Sequence, residues 1–459
     1  MSTSTAAKCP NNYFDGLEVT GKHQGIFFII MMAYFFEQMD NWNFGFIAPA
    51  IFKSWGLAPD AANIAMGDIG FWYFIGMTLG GFMGGIISDF IGRRKTFLLS
   101  IVLFSVCSII NGLPIENVHI FILARALTGF GVFCLMVCSQ AYIAEMAPAE
   151  SRGKWQGLVA AVGFAAVPVI AFLCRVIVPL HPEAWRIIFF LGGLGLIGYL
   201  IAHKYLLESP RWLVAQGRIA EAEDIVEKIT HRKVDLSSCA NHSPEKTSVM
   251  EAVTGMFARQ YIGRTLLLLF TFLTITPAGF AFTFWTGKLL SDVYSQENML
   301  TLMTIISCGV PAGCFLASRI SDMGGRKIPL AVMYAGAAIL AFAFGRFSES
   351  FVITAILGFS LSVFNLAGSF ILFSYCAESY PTKLRNTATG LHNGLARLSV
   401  SVFQKIIPMI MVSIGGSAGM FGSDMAAVFT VISILFALCV PFIFLFGMRT
   451  GGRSLEDIS

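Results

Sequence analysis

Twelve stretches of about twenty predominantly apolar residues leave this chain few ways to fold. A helix needs about 20 such residues to cross a hydrocarbon layer about 30 Å thick. The stretches run over 25–50, 66–90, 97–114, 118–143, 155–178 and 185–206, then over 265–290, 298–318, 328–346, 350–376, 387–413 and 424–447. A polar gap of mixed charge separates the two groups of six, with its clearest amphipathic pattern around Arg218–Ile229. The expected fold is therefore all-α: twelve transmembrane helices in two six-helix halves. The divisions are a tail at 1–24, a bundle at 25–206, a linker with short amphipathic helices at 207–262, a second bundle at 263–447 and a tail at 448–459.

Composition supports a lipid-facing surface. Only 13% of the residues are charged, against about 25% in a soluble domain. A net charge of +4 gives no basic character of the kind that binds nucleic acid. The ten cysteines include no C-x-x-C pair and fall mostly in apolar stretches. They read as free thiols, neither a disulfide framework nor a zinc site. The residues before 25 lack the apolar core and small-residue cleavage site of a signal peptide. No nucleophile–base arrangement or phosphate loop suggests an enzyme.

Lys and Arg of short loops mark the cytoplasmic side. Arg93, Arg94 and Lys95 follow span two, Arg152 and Lys154 span four, Arg319, Arg326 and Lys327 span eight, Lys383 and Arg385 span ten, and Arg449 and Arg453 span twelve. All lie on one side of a twelve-span chain. Both termini and the linker are expected there, in a plasma-membrane protein.

Two motifs repeat at one offset. Gly85-Ile-Ile-Ser-Asp89-Phe-Ile-Gly92-Arg93-Arg94-Lys95 matches Arg319-Ile-Ser-Asp322-Met-Gly-Gly325-Arg326-Lys327, and Asp89 to Asp322 is 233 positions. Tyr142-Ile-Ala-Glu145-Met-Ala-Pro148 through Arg152 matches Tyr375-Cys-Ala-Glu378-Ser-Tyr-Pro381 through Arg385, again at 233. Two motifs in one register imply a duplicated six-helix unit. Repeat-built transporters bind their cargo near the midplane, between the repeats.

Asp-x-x-Gly-Arg-Arg/Lys after spans two and eight resembles the signature loop of the major facilitator superfamily. Arg125-x-x-x-Gly129-x-Gly131 is similar to a second motif of that family. Glu208-Ser-Pro-Arg211-Trp-Leu with Gly217-Arg218 resembles the segment after helix six of its sugar porters and organic-ion transporters. The resemblance implies a transporter working by alternating access. It also implies that Asp89, Arg93, Arg94, Asp322 and Arg326 form a lock across the cytoplasmic face that breaks when the halves rock apart. Glu145 with Arg152, and Glu378 with Arg385, are expected to act in the same way. The plainer reading of these cations is topology alone.

Charges at membrane depth are costly and mark ion or substrate paths. Glu37 and Asp40 lie three apart in span one, and Arg125 in span four lies within about 5 Å of the depth of Asp40 at 1.5 Å rise per residue. This is either a proton-coupling set or a static buried ion pair. Arg397 is about 15 Å deep in span eleven, and no acid of the second half lies at comparable depth. Its anion is supplied by Glu37, by Asp40 or by the substrate. Asn393, Arg397 and Gln404 share one helix face. Gly76, Gly80 and Gly84 form a small-residue stripe for close helix packing. Pro49 and the Thr276-Pro277-Ala-Gly279 run are expected to interrupt spans one and seven. That makes Trp42, Phe280 and Phe284 cavity candidates, with Asn365 and Ser369 as further polar contacts. Arg175 and Lys405, nearer the outer ends, are expected to snorkel.

The expected function is proton-coupled symport of a small organic anion, with no cofactor beyond the proton gradient. The partners are the anionic substrate and the lipid bilayer, and the state is a monomer. A sugar or polyol porter is the first rival, although span seven lacks paired glutamines for sugar hydroxyls. A cation or drug exporter would want an acidic cavity, and a membrane sensor would want a signalling domain.

Overall fold

The computed structural model describes residues 13–15, 18–115, 117–236, 249–416 and 419–450. Among them no strand occurs. The first half holds α1 (Gly21–Ser54), α2 (Pro59–Ile91), α3 (Arg93–Gly112), α4 (Val118–Met146), α5 (Ala149–Ile177), α6 (Trp185–Gly192) and α7 (Gly195–Tyr205). The second holds α11 (Ile262–Ser291), α12 (Gln296–Ile320), α13 (Lys327–Arg346), α14 (Phe351–Glu378), α15 (Thr382–Ile414) and α16 (Asp424–Phe446). Between them lie α8 (Pro210–Ala215), α9 (Ile219–Thr230) and α10 (Val249–Met256). α9 turns Ala222, Ile225, Val226 and Ile229 inward, one apolar stripe at helical spacing.

Eleven segments are long and apolar enough to cross a membrane, counting α6 with α7 as one. α1 is the twelfth by length and packing. Glu37, Gln38, Asp40, Asn41 and Asn43 dilute its apolar character. The duplication is visible in the helix bounds: α4 and α14 begin at Val118 and Phe351, and α5 and α15 at Ala149 and Thr382, both 233 apart. The eight described cysteines are all free thiols; Cys9 and Cys239 lie outside the described residues, as does Arg453.

Neither proline breaks its helix. Pro49 sits inside an unbroken α1 and Pro277 inside an unbroken α11, since a membrane helix can lose one backbone bond where its neighbours re-satisfy the carbonyl. The discontinuity is in span six, between Gly192 and Gly195. There a Cβ on Gly193 would meet Ile109, and one on Gly195 would meet Ser105 and Phe104. Close approach to α3 takes the place of regular helix. In α2 the stripe behaves as expected: Gly76 and Gly80 face the backbone of Ala126 and Phe130 in α4 with no room for a side chain.

The α2–α3 turn explains a motif residue. Gly92 has φ +102°, a conformation open to glycine. Beyond it Glu208 caps α3, accepting from the backbone N–H of Arg93 at 2.9 Å and of Arg94 at 3.1 Å. Burial raises the Glu208 carboxyl above its ordinary range, while N–H bonds from Ser209, Arg94 and Arg93 pull it back. Glu208→Ala should orphan these donors and cost about 1–2 kcal/mol, seen as a lower melting temperature of the purified protein. An unchanged melting temperature would show that the cap contributes nothing.

Candidate functional site

Three arrangements gather the polar side chains of the bundle. The first is sealed inside the first half. Asp40 of α1 and Arg125 of α4 are both fully buried, with Nη1 3.4 Å from Oδ2. Ser108 of α3 donates to Asp40 Oδ1 at 2.5 Å, and Asn43 Nδ2 donates to the same oxygen at 3.1 Å. The guanidinium lies over the rings of Tyr73 at 4.5 Å, Phe44 at 5.6 Å and Phe189 at 5.7 Å. Its Nε and Nη2 have no hydrogen-bond partner. Asp40 and Arg125, matched in depth along their two helices, are in contact.

The second arrangement lies between the halves. Arg397 of α15 stacks over Phe280 of α11 at 4.3 Å and over Phe133 of α4 at 4.9 Å. Its Nη1 is buried without a hydrogen-bond partner. Its electrostatic neighbours are Tyr73, Tyr34 and Glu37, all from the first half, yet no carboxylate is in ion-pair contact with it among the described residues. Glu37 is 1% exposed and accepts from Gln38 Nε2 at 3.1 Å. Trp42 Nε1 in turn donates to Gln38 Oε1 at 3.1 Å. Phe133 was not among the residues expected in the site. Phe133 lies about two turns along α4 from Arg125, a relation that helix periodicity offers.

Other expected contacts are placed differently. Asn393 spends its amide on the carbonyl of Thr389 at 3.0 Å. Gln404 is fully buried away from Arg397, about 10 Å further along α15. Its Oε1 accepts from Trp285 Nε1 at 2.5 Å, and its Nε2 has no hydrogen-bond partner. The shared face thus serves two depths, and Gln404 belongs to the closed interface with α2. Phe284 is buried there against Phe44 at 5.2 Å and Phe74 at 5.9 Å. Ser369 donates to the carbonyl of Asn365 at 2.8 Å, while the buried Asn365 Oδ1 has no hydrogen-bond partner and lies against Gly279.

The third arrangement gathers the charges expected to form the lock, in a structure whose halves close on the opposite face. On the basic face Arg93 pairs with Asp89 at 2.5 Å and with Glu145 at 2.9 Å, all in the first half. Arg326 pairs with Asp322 at 2.9 Å and with Glu378 at 2.6 Å, all in the second. These are duplicated triads within each half, because the Gly turn folds each Arg back onto its own bundle. Arg94 donates to the carbonyls of Leu206 and His203 at 2.7 and 2.6 Å. Arg152 and Arg385 do not pair with Glu145 and Glu378, whose carboxylates are already taken; Arg152 Nε and Arg385 Nε and Nη2 are buried without hydrogen-bond partners.

Among the described residues two ion pairs do join the halves, both on the face opposite. Lys405 of α15 reaches Asp68 of α2, and Arg175 of α5 meets Thr301 Oγ1 at 2.7 Å and Glu297 at 3.5 Å in α12. Neither cation merely snorkels. Close backbone contact of Gly45 with Gly287 seals the same side. Lys405→Ala should loosen this closure modestly, by about 1 kcal/mol at most for a half-exposed pair. The check is the rate of thiol labelling of Ser401→Cys, at a position fully buried now. A rate unchanged by Lys405→Ala would mean that the pair does not hold the face shut.

Comparison with known proteins adds three findings. A sequence model of the Major Facilitator Superfamily matches residues 30–404. Among curated proteins, YyaJ of Bacillus subtilis is 29% identical over 451 residues, covering 97% of this chain and 96% of its own. The niacin transporter NiaP of Acinetobacter baylyi is 26% identical over 454 residues, covering 97% and 98%. Among solved structures, a crystal structure of D-xylose-proton symporter superimposes with a TM-score of 0.76 at 18% identity, over 94% of this chain and 99% of that one.

Proposed function

Because the chain belongs to the major facilitator superfamily and is an integral membrane transporter, we propose that it carries a small organic anion, a carboxylate metabolite, together with a proton by alternating access. The observation that carries this reading is Arg397, a guanidinium held between Phe133 and Phe280 with Nη1 unpartnered. A guanidinium with a buried nitrogen left without a partner is costly until an anion arrives. The planar guanidinium suits a carboxylate at two points, and the flanking rings suit an apolar body attached to it. Niacin, in the name of the Acinetobacter relative, is such a molecule. We assign the proton to the buried acids of α1, Glu37 and Asp40, of which Asp40 is paired with Arg125.

Lys and Arg bias makes the basic face cytoplasmic, with both termini there. The closure through Lys405–Asp68, Gln404 against Gly67 and Gly70, and Gly45–Gly287 is then on the outer side. One copy holds the whole site, so a monomer suffices. A thermal-shift screen of the purified protein against small carboxylates, sugars and amines tests the reading. Carboxylates should raise the melting temperature by binding the native state. A response to sugars or amines alone would overturn it.

A further inference from the structure

The Asp40–Arg125 pair is better enclosed than it is satisfied. Nη1 of Arg125 meets Asp40 and three rings cover the guanidinium, but the edge formed by Nε and Nη2 is buried with no hydrogen-bond partner. Asn43 donates Nδ2 to Asp40 and leaves Oδ1 buried and unpartnered. On α3, Ser105 and Asn111 lie one turn either side of Ser108, which bonds Asp40. Ser105 Oγ and both Oδ1 and Nδ2 of Asn111 are again buried without partners. Arg125, Asn43, Ser105 and Asn111 are each at most 2% exposed. A buried polar atom without a partner costs about 1–3 kcal/mol, and native structures leave few of them.

Helix packing does not demand these side chains. The positions 233 residues after Ser105, Ser108, Asn111 and Arg125 are Ala338, Ala341, Phe344 and Gly358. The duplicated unit is therefore apolar in the second half where it is polar in the first. Span six makes room at its bend. A Cβ on Gly192 would strike Ser108 Oγ and Asp40 Oδ1, and one on Gly195 would strike Ser105 Oγ.

We infer that ordered water molecules reside inside the first half, between α1, α3, α4 and the bend of span six, joining the free edge of Arg125 to Asn43, Ser105 and Asn111. The chemistry selects water over an ion. The unpartnered set mixes donors, Arg125 Nε and Nη2 and Asn111 Nδ2, with acceptors, Asn43 Oδ1 and Asn111 Oδ1. An anion would serve only the donors and would add an uncompensated buried charge beside Asp40. A cation would serve only the acceptors and would face Arg125. Water serves both, and at about three hydrogen bonds per buried molecule about two waters would satisfy these atoms. Every ligand belongs to the first half, so the waters travel with it when the halves rock, apart from the substrate path between the halves.

The test is X-ray hydroxyl-radical labelling of the purified full-length chain, read by mass spectrometry. Bound waters yield radicals in place and oxidise the side chains beside them, however well these are shielded from bulk solvent. Phe189 is the reporter, fully buried with its ring 5.7 Å from the Arg125 guanidinium. Phe344 and Phe429, fully buried against each other at 4.6 Å in the second half, are the dry controls. Phe189 should be oxidised severalfold faster than either control, and Asn43→Leu combined with Asn111→Leu should bring it down to their rate. A Phe189 rate no higher than the controls, or one unchanged in a well-folded double variant, overturns the inference. If the double variant does not fold, electron density of wild-type crystals decides. Ordered water beside Arg125 Nε and Nη2 supports the inference, and a dry edge, or an anomalous peak there after bromide replaces chloride, overturns it.

Discussion

Arg397→Ala lowers affinity for the carboxylate substrate by roughly 30-fold or more, the equivalent of losing about 2–5 kcal/mol when one partner of a buried charge pair is truncated. The effect is this large because the guanidinium already sits between Phe280 and Phe133 at 4.3 and 4.9 Å, so little reorganisation is spent on binding. Arg397→Lys keeps the charge but loses the planar two-point contact and the stacking on both rings. Its affinity falls between those of wild type and Arg397→Ala. Equilibrium binding of the well-folded variants checks the order. Equal affinity of Arg397→Lys and wild type for an acidic ligand takes Arg397 out of the site.

Asp40→Ala produces the largest loss of stability, about 3–5 kcal/mol. The substitution leaves Arg125 fully buried, with Nε and Nη2 already lacking hydrogen-bond partners and Nη1 newly orphaned. Asn43 loses its acceptor at 3.1 Å, while Ser108 loses the carboxylate at 2.5 Å and keeps the carbonyl of Phe189 at 2.9 Å. Stacking on Tyr73 remains but does not replace an anion. Asp40→Asn keeps the shape and one acceptor oxygen, and destabilises less. Thermal unfolding of the purified variants measures both, and a wild-type melting temperature for Asp40→Ala would show that the pair is dispensable to the fold.

The duplication was legible because motif spacing survives any amount of helix tilt, and the bounds of α4, α14, α5 and α15 repeat it. Span ends ran short because the reading began at the first apolar residue. The charged first turns at Ala149–Lys154 and Thr382–Arg385 are already helical. Asp40 and Arg125 could be matched by counting depth along two helices of one bundle. Contacts across the interface were not accessible to that counting. Which residue of α2 meets Lys405, or which ring of α4 meets Arg397, depends on how each helix is rotated about its axis and how the halves are disposed. The within-half partners of the basic-face cations were beyond that counting for a related reason. A turn closed by Gly92 at φ +102° folds Arg93 back on its own bundle, and nothing in the motif spacing distinguishes that from reaching outward.

The polar composition of α1 has a consequence for biogenesis. An Asp at the centre of a segment adds about 2.5–3.5 kcal/mol to its translocon insertion free energy, and α1 carries Asp40 beside Glu37, Gln38, Asn41 and Asn43. It alone of the twelve spans is not among the helices apolar enough by composition to be recognised as crossing a membrane. The cation that neutralises Asp40 is Arg125, and α4 is synthesised after α1, α2 and α3. Stable lodging of α1 in lipid is therefore expected to wait for α4, with the first half assembled at the translocon as a group rather than released helix by helix.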